Sequence, residues 1–185
     1  MSLPVPEQTL TVDEYLQMVE DGVFSEDARI ELIHGEIVEM SPIGDRHIAS
    51  LIAGVRVFAR LLPRVDLSPQ SPLRVRGFKS LPQPDLVLVR PRKDYRLHPL
   101  GASDVVLLVE IADSSLAYDR DVKMPLYAGD GIPEFWLVDL NSETIFVYRR
   151  PSLGGYQEIR EYRRGSWISP QAFPDERFLV DDLLG

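Results

Sequence analysis

Apolar positions along the chain change period several times, and each change marks an element. Val12, Tyr15, Leu16 and Val19 recur at helical spacing behind Thr9 and Thr11, either of which can cap a helix running to about Glu20, with Gly22 ending it. RIELI and EIVEM alternate apolar and polar residues on either side of His34-Gly35, which predicts a β-hairpin over 29–40 with Glu31 on its first strand. From Asp45, the positions Ile48, Leu51, Ile52, Val55, Phe58, Ala59 and Leu62 follow the i, i+3, i+4, i+7 rule and predict the clearest helix, which Pro63 stops.

Pro69, Pro72, Pro82 and Pro84 then punctuate short strands, of which LRVR and DLVLV are the candidates, and 91–103 reads as a loop. VVLLVEIA at 105–112 is a nearly continuous β-branched and aliphatic run, as expected of a central strand covered on both faces. Leu116 to Tyr127 is helical in composition, with Pro125 either kinking the helix or lying in a first turn. EFWLVDL and TIFVYRR form a second hairpin through Asn141, Ser142 and Glu143; GYQEIREYR continues the sheet, and AFPDERFLVDDLL closes as a strand and a short helix. The order predicts an α/β protein of the α+β type: one domain over 1–185, with a mixed sheet and helices packed against it.

With 44% hydrophobic and 26% charged residues, the 185-residue chain can bury a substantial core. No apolar run is long enough to span a membrane, and MSLPVPEQ lacks the basic start and apolar stretch of a signal peptide, so a cytoplasmic location is expected. The absence of cysteine excludes disulfides, thiolate zinc sites and cysteine nucleophiles. His34, His47 and His98 are too scattered for a histidine metal cluster, so any metal site is built from oxygen. A formal net charge of −9 argues against a protein that coats nucleic acid. Arg74, Arg76, Lys79, Arg90, Arg92, Lys93 and Arg96 nevertheless place seven cations within 23 positions, as either a binding face or ordinary solvated charge.

Asp85 begins DLVLV, and Glu110 lies near the end of VVLLVEIA, 25 positions later. If the two strands are neighbours, the carboxylates meet at one place on the sheet. Held close, they repel unless a cation lies between them, and Mg²⁺ suits such a site because it favours oxygen ligands and retains water. The Pro-Asp dipeptide carries little alone, since Pro174-Asp175 is a second one. What marks Asp85 and Glu110 is that they are polar exceptions on apolar strands, where an unpaired buried charge is expensive. The alternative is a pair of strand-end residues facing water.

RIELIHGEIVEMSP, His47 opening a helix, PDLVLV, VEIADSS and DRDVKMPLYAGDGIPEFWLVDL together resemble the Uma-type proteins, formerly a domain of unknown function, within the PD-(D/E)XK nuclease superfamily. The resemblance spans roughly residues 9–183. Its most specific part is Asp119, Lys123, Tyr127, Gly131 and then Glu134-Phe135-Trp136, which fit the family's D-x3-K-x3-Y-x3-G-x2-E-(Y/F)-W pattern. It implies a restriction-endonuclease-like core with flanking helices and an added β-hairpin, a divalent-metal site using Mg²⁺ or Mn²⁺, and DNA cleavage. Carried over by residue, it makes Asp85 and Glu110 metal ligands and Glu31 a further acid of the site, although Ile30 replaces the usual tyrosine before that glutamate. His34 stands where the family has Asp or Asn and is expected to be structural; His47 matches a family histidine, with a helix-start role or a site role.

The superfamily's lysine, two positions after the glutamate, is replaced here by Ala112. Lys123, the only lysine between 94 and 185, is the expected substitute, with Asp119 one turn earlier holding it in place. The competing reading is a surface ion pair; Arg120 is the nearest rival cation, expected on almost the same helical face. Lys123→Met is expected to abolish cleavage without disturbing folding or metal binding. Phe135 and Trp136 read as core, while Tyr118 and Tyr127 could line a cleft. The leading function is a Mg²⁺-dependent endonuclease acting on DNA. The alternatives are a catalytically weak or inactive nuclease-fold binding protein, favoured by the acidic charge and the missing in-strand lysine, and a carboxylate hydrolase acting on another phosphoester or a glycoside. A homodimer is expected because the sheet-rich chain has abundant apolar edges and because related folds often pair to meet a two-stranded substrate.

Overall fold

A computed structural model describes residues 9–75 and 79–185. The N-terminal MSLPVPEQ and Arg76 of the cationic run lie outside the described residues. Helix α1, Val12–Glu20, is capped by Thr11 in a full capping box with Glu14, and it buries Val12 and Tyr15. Strands β1, Ile30–Ile33, and β2, Glu36–Glu39, form the expected hairpin as a separate two-stranded sheet. Its turn needs two left-handed residues, His34 (φ 53°) and Gly35 (φ 83°). That conformation explains why Asp or Asn is the usual residue where His34 stands, and His34 is exposed on the turn, away from the acidic site. Val12, Tyr15, Leu32 and Leu81 make a small core that joins α1 to the hairpin.

A six-stranded sheet in the order β3-β4-β5-β6-β7-β8 forms the centre. Its strands are β3 Asp66–Pro69, β4 Leu86–Val89, β5 Val105–Ala112, β6 Glu134–Asp139, β7 Thr144–Ser152 and β8 Gly155–Arg163. Only the β5–β6 pair is parallel, and the chain between them crosses over in a helix. That connection runs as α3, Leu116–Tyr118, a π turn over Asp119–Lys123, and α4, Met124–Gly129. Pro125 lies in the first turn of α4; it cannot donate to the helical ladder and crowds the carbonyl four residues back, that of Asp121 inside the π turn. A short pair, β9 Trp167–Ile168 with β10 Phe178–Leu179, leads into α5, Asp181–Leu184.

Alternation along the strands makes two cores. Leu86, Leu88, Val109, Ile111 and Trp136 face α2, Asp45–Phe58, and α5. Val87, Val89, Leu108, Phe135 and Leu137 face the crossover helix, packing with Tyr127. Phe135 and Trp136 are fully buried, as expected. Among the described residues no helix is long and apolar enough to cross a membrane.

Several expectations are corrected. Val19, Ile48, Ile52 and Leu62 are exposed. Helix α2 instead packs through Ser50, Gly54, Val57 and Phe58: Gly54 lets Leu86 approach to 3.6 Å of where a Cβ would stand, and the Ser50 hydroxyl donates to the Leu183 carbonyl at 2.7 Å. The described part of LRVR, 73–75, makes an isolated bridge at Arg74 rather than a strand, while the strand beside β4 is the unpredicted Asp66–Pro69. The free edge β8 carries Glu158, Arg160, Glu161 and Arg163 rather than an apolar row, which blunts edge pairing.

The hairpin turn generates a stability prediction. A Cβ on Gly35 would lie 2.5 Å from Thr9 Cβ and 3.0 Å from the Leu10 carbonyl oxygen, at a positive φ. Gly35→Ala is therefore expected to destabilise the protein by roughly 1–3 kcal/mol, from left-handed strain plus the clash. Denaturant unfolding checks it; an unchanged midpoint contradicts this view of the turn.

Candidate active site

Strand register brings the two central acids together. β4 and β5 are antiparallel neighbours with Leu86 opposite Val109 and Val87 opposite Leu108, so continuing the register by one residue sets Asp85 opposite Glu110. Asp85 shares its parity with Val87 and Val89, and Glu110 with Leu108, so both acids point to the crossover-helix face. Their local contacts agree: the Asp85 N–H donates to Glu110 Oε2 at 3.3 Å, and the Ile111 N–H donates to Asp85 Oδ2 at 2.8 Å.

Glu31 arrives from the hairpin. Ile30 and Leu32 turn toward the small core under α1, so Glu31 faces the opposite way. Its Oε2 accepts from the Gln83 N–H at 3.1 Å, while Gln83 also ties its side chain to the Ile30 carbonyl. Its Oε1 is buried without a hydrogen-bond partner.

Lys123 comes from the π turn, and its ammonium lies 3.2 Å from Glu31 Oε2, 3.2 Å from Glu110 Oε1 and 4.0 Å from Asp119 Oδ1. In an α-helix, residues four apart drift about 40° around the axis at each step. The wider π turn between Asp119 and Lys123 takes up that drift, so Asp119, Lys123 and Tyr127 all reach the same acids from one face. Tyr127 donates its hydroxyl to Glu110 Oε1 at 2.6 Å, a contact that its i+4 spacing from Lys123 and its place in the family pattern did not specify. Arg120 is exposed and pairs with Asp121 at 2.8 Å, so it shares neither the face nor the site.

His47, near the start of α2, places Nε2 2.8 Å from Asp85 Oδ1, which favours its site role. The result is a cavity of about 580 Å³ whose lining includes Glu31, His47, Asp85, Glu110, Asp119 and Lys123. These residues came from separate stretches of sequence, and all converge. The described residues of the cationic run do not join them. Arg90, Arg92 and Arg96 follow β4 at the end opposite Asp85 and Arg74 precedes it, and they are tied locally: Arg90 to the Ser103 carbonyl, Arg92 to Asp104, Arg96 to Asp94 and Arg74 to Asp13.

Electrostatics dominate the site. Glu31, Asp85, Glu110 and Asp119 are each at most 9% exposed, as is Lys123, so four acids surround one ammonium with little access to bulk solvent. Burial raises the Glu110 carboxyl well above the usual range, against the pull of Lys123. Burial likewise raises Asp119 to about 6. Burial opposes the Lys123 charge, but Glu110, Glu31, Asp119 and Asp85 together outweigh it and hold the group as an ammonium. Burial also opposes the His47 imidazolium, and the hydrogen bond and charge of Asp85 prevail.

An oxygen-loving divalent cation fits this donor set. Excess buried carboxylate is costly without a counter-charge, and Glu31 Oε1 is an unsatisfied acceptor in the cluster. Among the described residues, however, no three acidic or histidine side chains are already arranged as a cage. Lys123 and the backbone donors occupy most of the oxygens, so binding would require them to yield.

Known proteins bear on this arrangement. A family model, Uma2, described as "Putative restriction endonuclease", matches residues 12–180. Among solved structures, one described as a putative nuclease belonging to DUF820, from Anabaena variabilis, is similar over 95% of this chain and 97% of that one. The TM-score is 0.73 at 18% identity, a likeness that shows the fold. No curated protein matches the sequence.

Asp119 supplies the pH test. Its folded-state value of about 6 lies above the ordinary 3.8, so its contribution to stability is fully present below about pH 4 and is lost as pH rises through 6. Asp119→Asn should therefore stabilise the metal-free protein by of order 1–3 kcal/mol at pH 7.5 and by little at pH 4. Thermal melts at the two pH values check this; a variant less stable at pH 7.5 would show that the Lys123 and Ser115 contacts outweigh burial.

Proposed function

We propose that this chain, which belongs to the Uma2 family of restriction-endonuclease-like proteins, is a Mg²⁺-dependent endonuclease that hydrolyses DNA phosphodiester bonds. The observation that carries the reading is the buried excess of carboxylate over cation at the floor of the cavity. Such an arrangement lowers stability and persists where function requires it.

Asp85 and Glu110 would hold the cation, with the free oxygen of Glu31 beside them. Once bound, a divalent cation supplies charge neutralisation at phosphorus and a more acidic water. Hydrolysis joins a water oxygen to phosphorus and breaks one P–O bond; the incoming water gives up a proton to solvent, and the departing oxygen takes one from it. Lys123 acts through its charge: held as an ammonium by its acidic neighbours, it orients the incoming water or neutralises the phosphate rather than accepting a proton. Tyr127 holds Glu110 in place, and His47 does the same for Asp85.

A catalytically weak binding protein is the second reading. It is favoured by the completeness of the network, in which Lys123, Tyr127, His47 and backbone N–H groups already engage most carboxylate oxygens.

Cleavage of plasmid and single-stranded DNA, with and without Mg²⁺ or Mn²⁺, separates the two. Wild-type protein should cut only with a divalent ion, and Asp85→Asn should lose metal affinity and at least about 100-fold in rate. Lys123→Met should abolish cleavage, but the geometry revises what its fold should do: removing the one ammonium strands the acids, so the metal-free variant should be destabilised by roughly 3–5 kcal/mol and regain stability with Mg²⁺. Cleavage that survives both substitutions, with contaminating nuclease excluded, contradicts the proposal.

A further inference from the structure

The site described so far holds four acids with Lys123 and His47, and both basic side chains are tied to those acids. Lys123 is buried and fully committed to Glu31, Glu110 and Asp119. Glu39 and Asp113 bring further negative charge to the cavity wall. A phosphodiester approaching this pocket needs a cation nearer its mouth.

Arg29 stands there. It immediately precedes β1, two positions before Glu31, so strand alternation turns both side chains to the same side while Ile30 packs beneath α1. Two residues of strand separate their Cα atoms by about 7 Å. This places the guanidinium one step outward from the acidic floor, and Arg29 lines the same cavity as Asp85 and Glu110.

Its bonding leaves it available. Nη1 donates to the Ser41 carbonyl at 2.6 Å, and that is the one hydrogen bond of its side chain among the described residues. No carboxylate of the described residues pairs with it, whereas Arg46, in α2, is held by Asp113 at 2.9 Å. The Ser41 contact orients the fork, and the remaining N–H groups can meet phosphate oxygens in the planar geometry suited to them.

We infer that Arg29 is the phosphate-binding residue of this site: its guanidinium takes a non-bridging oxygen of a nucleic-acid phosphodiester whose phosphorus rests over Asp85 and Glu110. The assignment rests on the nuclease reading. It makes Arg29 a substrate-binding residue, with the carboxylates left to metal and chemistry.

Binding of a fluorescently labelled single-stranded 12-mer, measured by anisotropy with Ca²⁺ in place of Mg²⁺, tests it without turnover. Arg29→Gln keeps a polar side chain at a partly exposed position but lacks charge, so it should fold normally and lose about tenfold in affinity. Its dependence of log K on log salt should be shallower by about one ion. Arg29→Lys should recover part of the affinity, and under Mg²⁺ the Gln variant should raise KM more than it lowers kcat. Divalent-ion binding should match wild type in both. Equal affinity and equal salt slope in Arg29→Gln and wild type overturn the assignment while leaving the nuclease reading intact. Wild-type protein that binds Ca²⁺ but neither the 12-mer nor a duplex of the same sequence overturns both.

Discussion

Four carboxylates and one ammonium share a volume with little access to bulk solvent at the meeting of β4, β5, the first hairpin and the crossover helix. Removing charge from water costs several kcal/mol per ion, repaid only by good pairing. Lys123 repays part of this by reaching two acids at 3.2 Å and a third at 4.0 Å. The unpaid remainder shows in the raised carboxyls of Glu110 and Asp119 and in an unsatisfied Glu31 oxygen. The resting protein thus keeps more buried carboxylate than Lys123 and His47 balance.

The rest of the fold serves to keep these groups from moving apart. Antiparallel pairing sets Asp85 against Glu110, and a one-residue slip would turn one of them into the opposite core. The hairpin is held by α1 beneath and by Gln83 alongside, which fixes Glu31. The π turn spends regular helical geometry to bring Asp119, Lys123 and Tyr127 onto one line, and Pro125 gives it a local cause. The hydrophobic cores on both faces of the sheet supply the stability against which such a site is maintained.

Asp85 and Glu110 were legible in the sequence because a charged residue ending an apolar strand is conspicuous, and Lys123 because it is the single lysine in a long stretch. Glu31 and His47 stood out through the family resemblance, and the structure supplies their contacts. Arg29 was not legible: nothing in a strand's alternation says which of its two faces meets the site until the partner of Ile30 and Leu32 is known. Helix α2 misled for a related reason. Periodicity finds an apolar stripe, but Ser50 and Gly54 permit a closer approach than Ile48 and Ile52 do, and the closer face was buried. Asp66–Pro69 carries little strand propensity and is a strand because β4 offers it an edge. The π turn left no periodic trace.

The cationic run was the sequence's apparent answer to nucleic-acid binding, and none of its described residues lines the cavity that holds Asp85 and Glu110. An acidic protein can still act on phosphodiesters if cations act locally, through a bound metal ion and a single guanidinium, rather than through a broad field. The claim on which all of this depends is that one divalent ion belongs between Asp85 and Glu110. Crystals soaked in Mn²⁺ and measured at a wavelength where manganese scatters anomalously test it directly. The account requires an anomalous peak within about 2.5 Å of a carboxylate oxygen from each residue. A site with Lys123 still paired to Glu110 and no peak at saturating Mn²⁺ would contradict it.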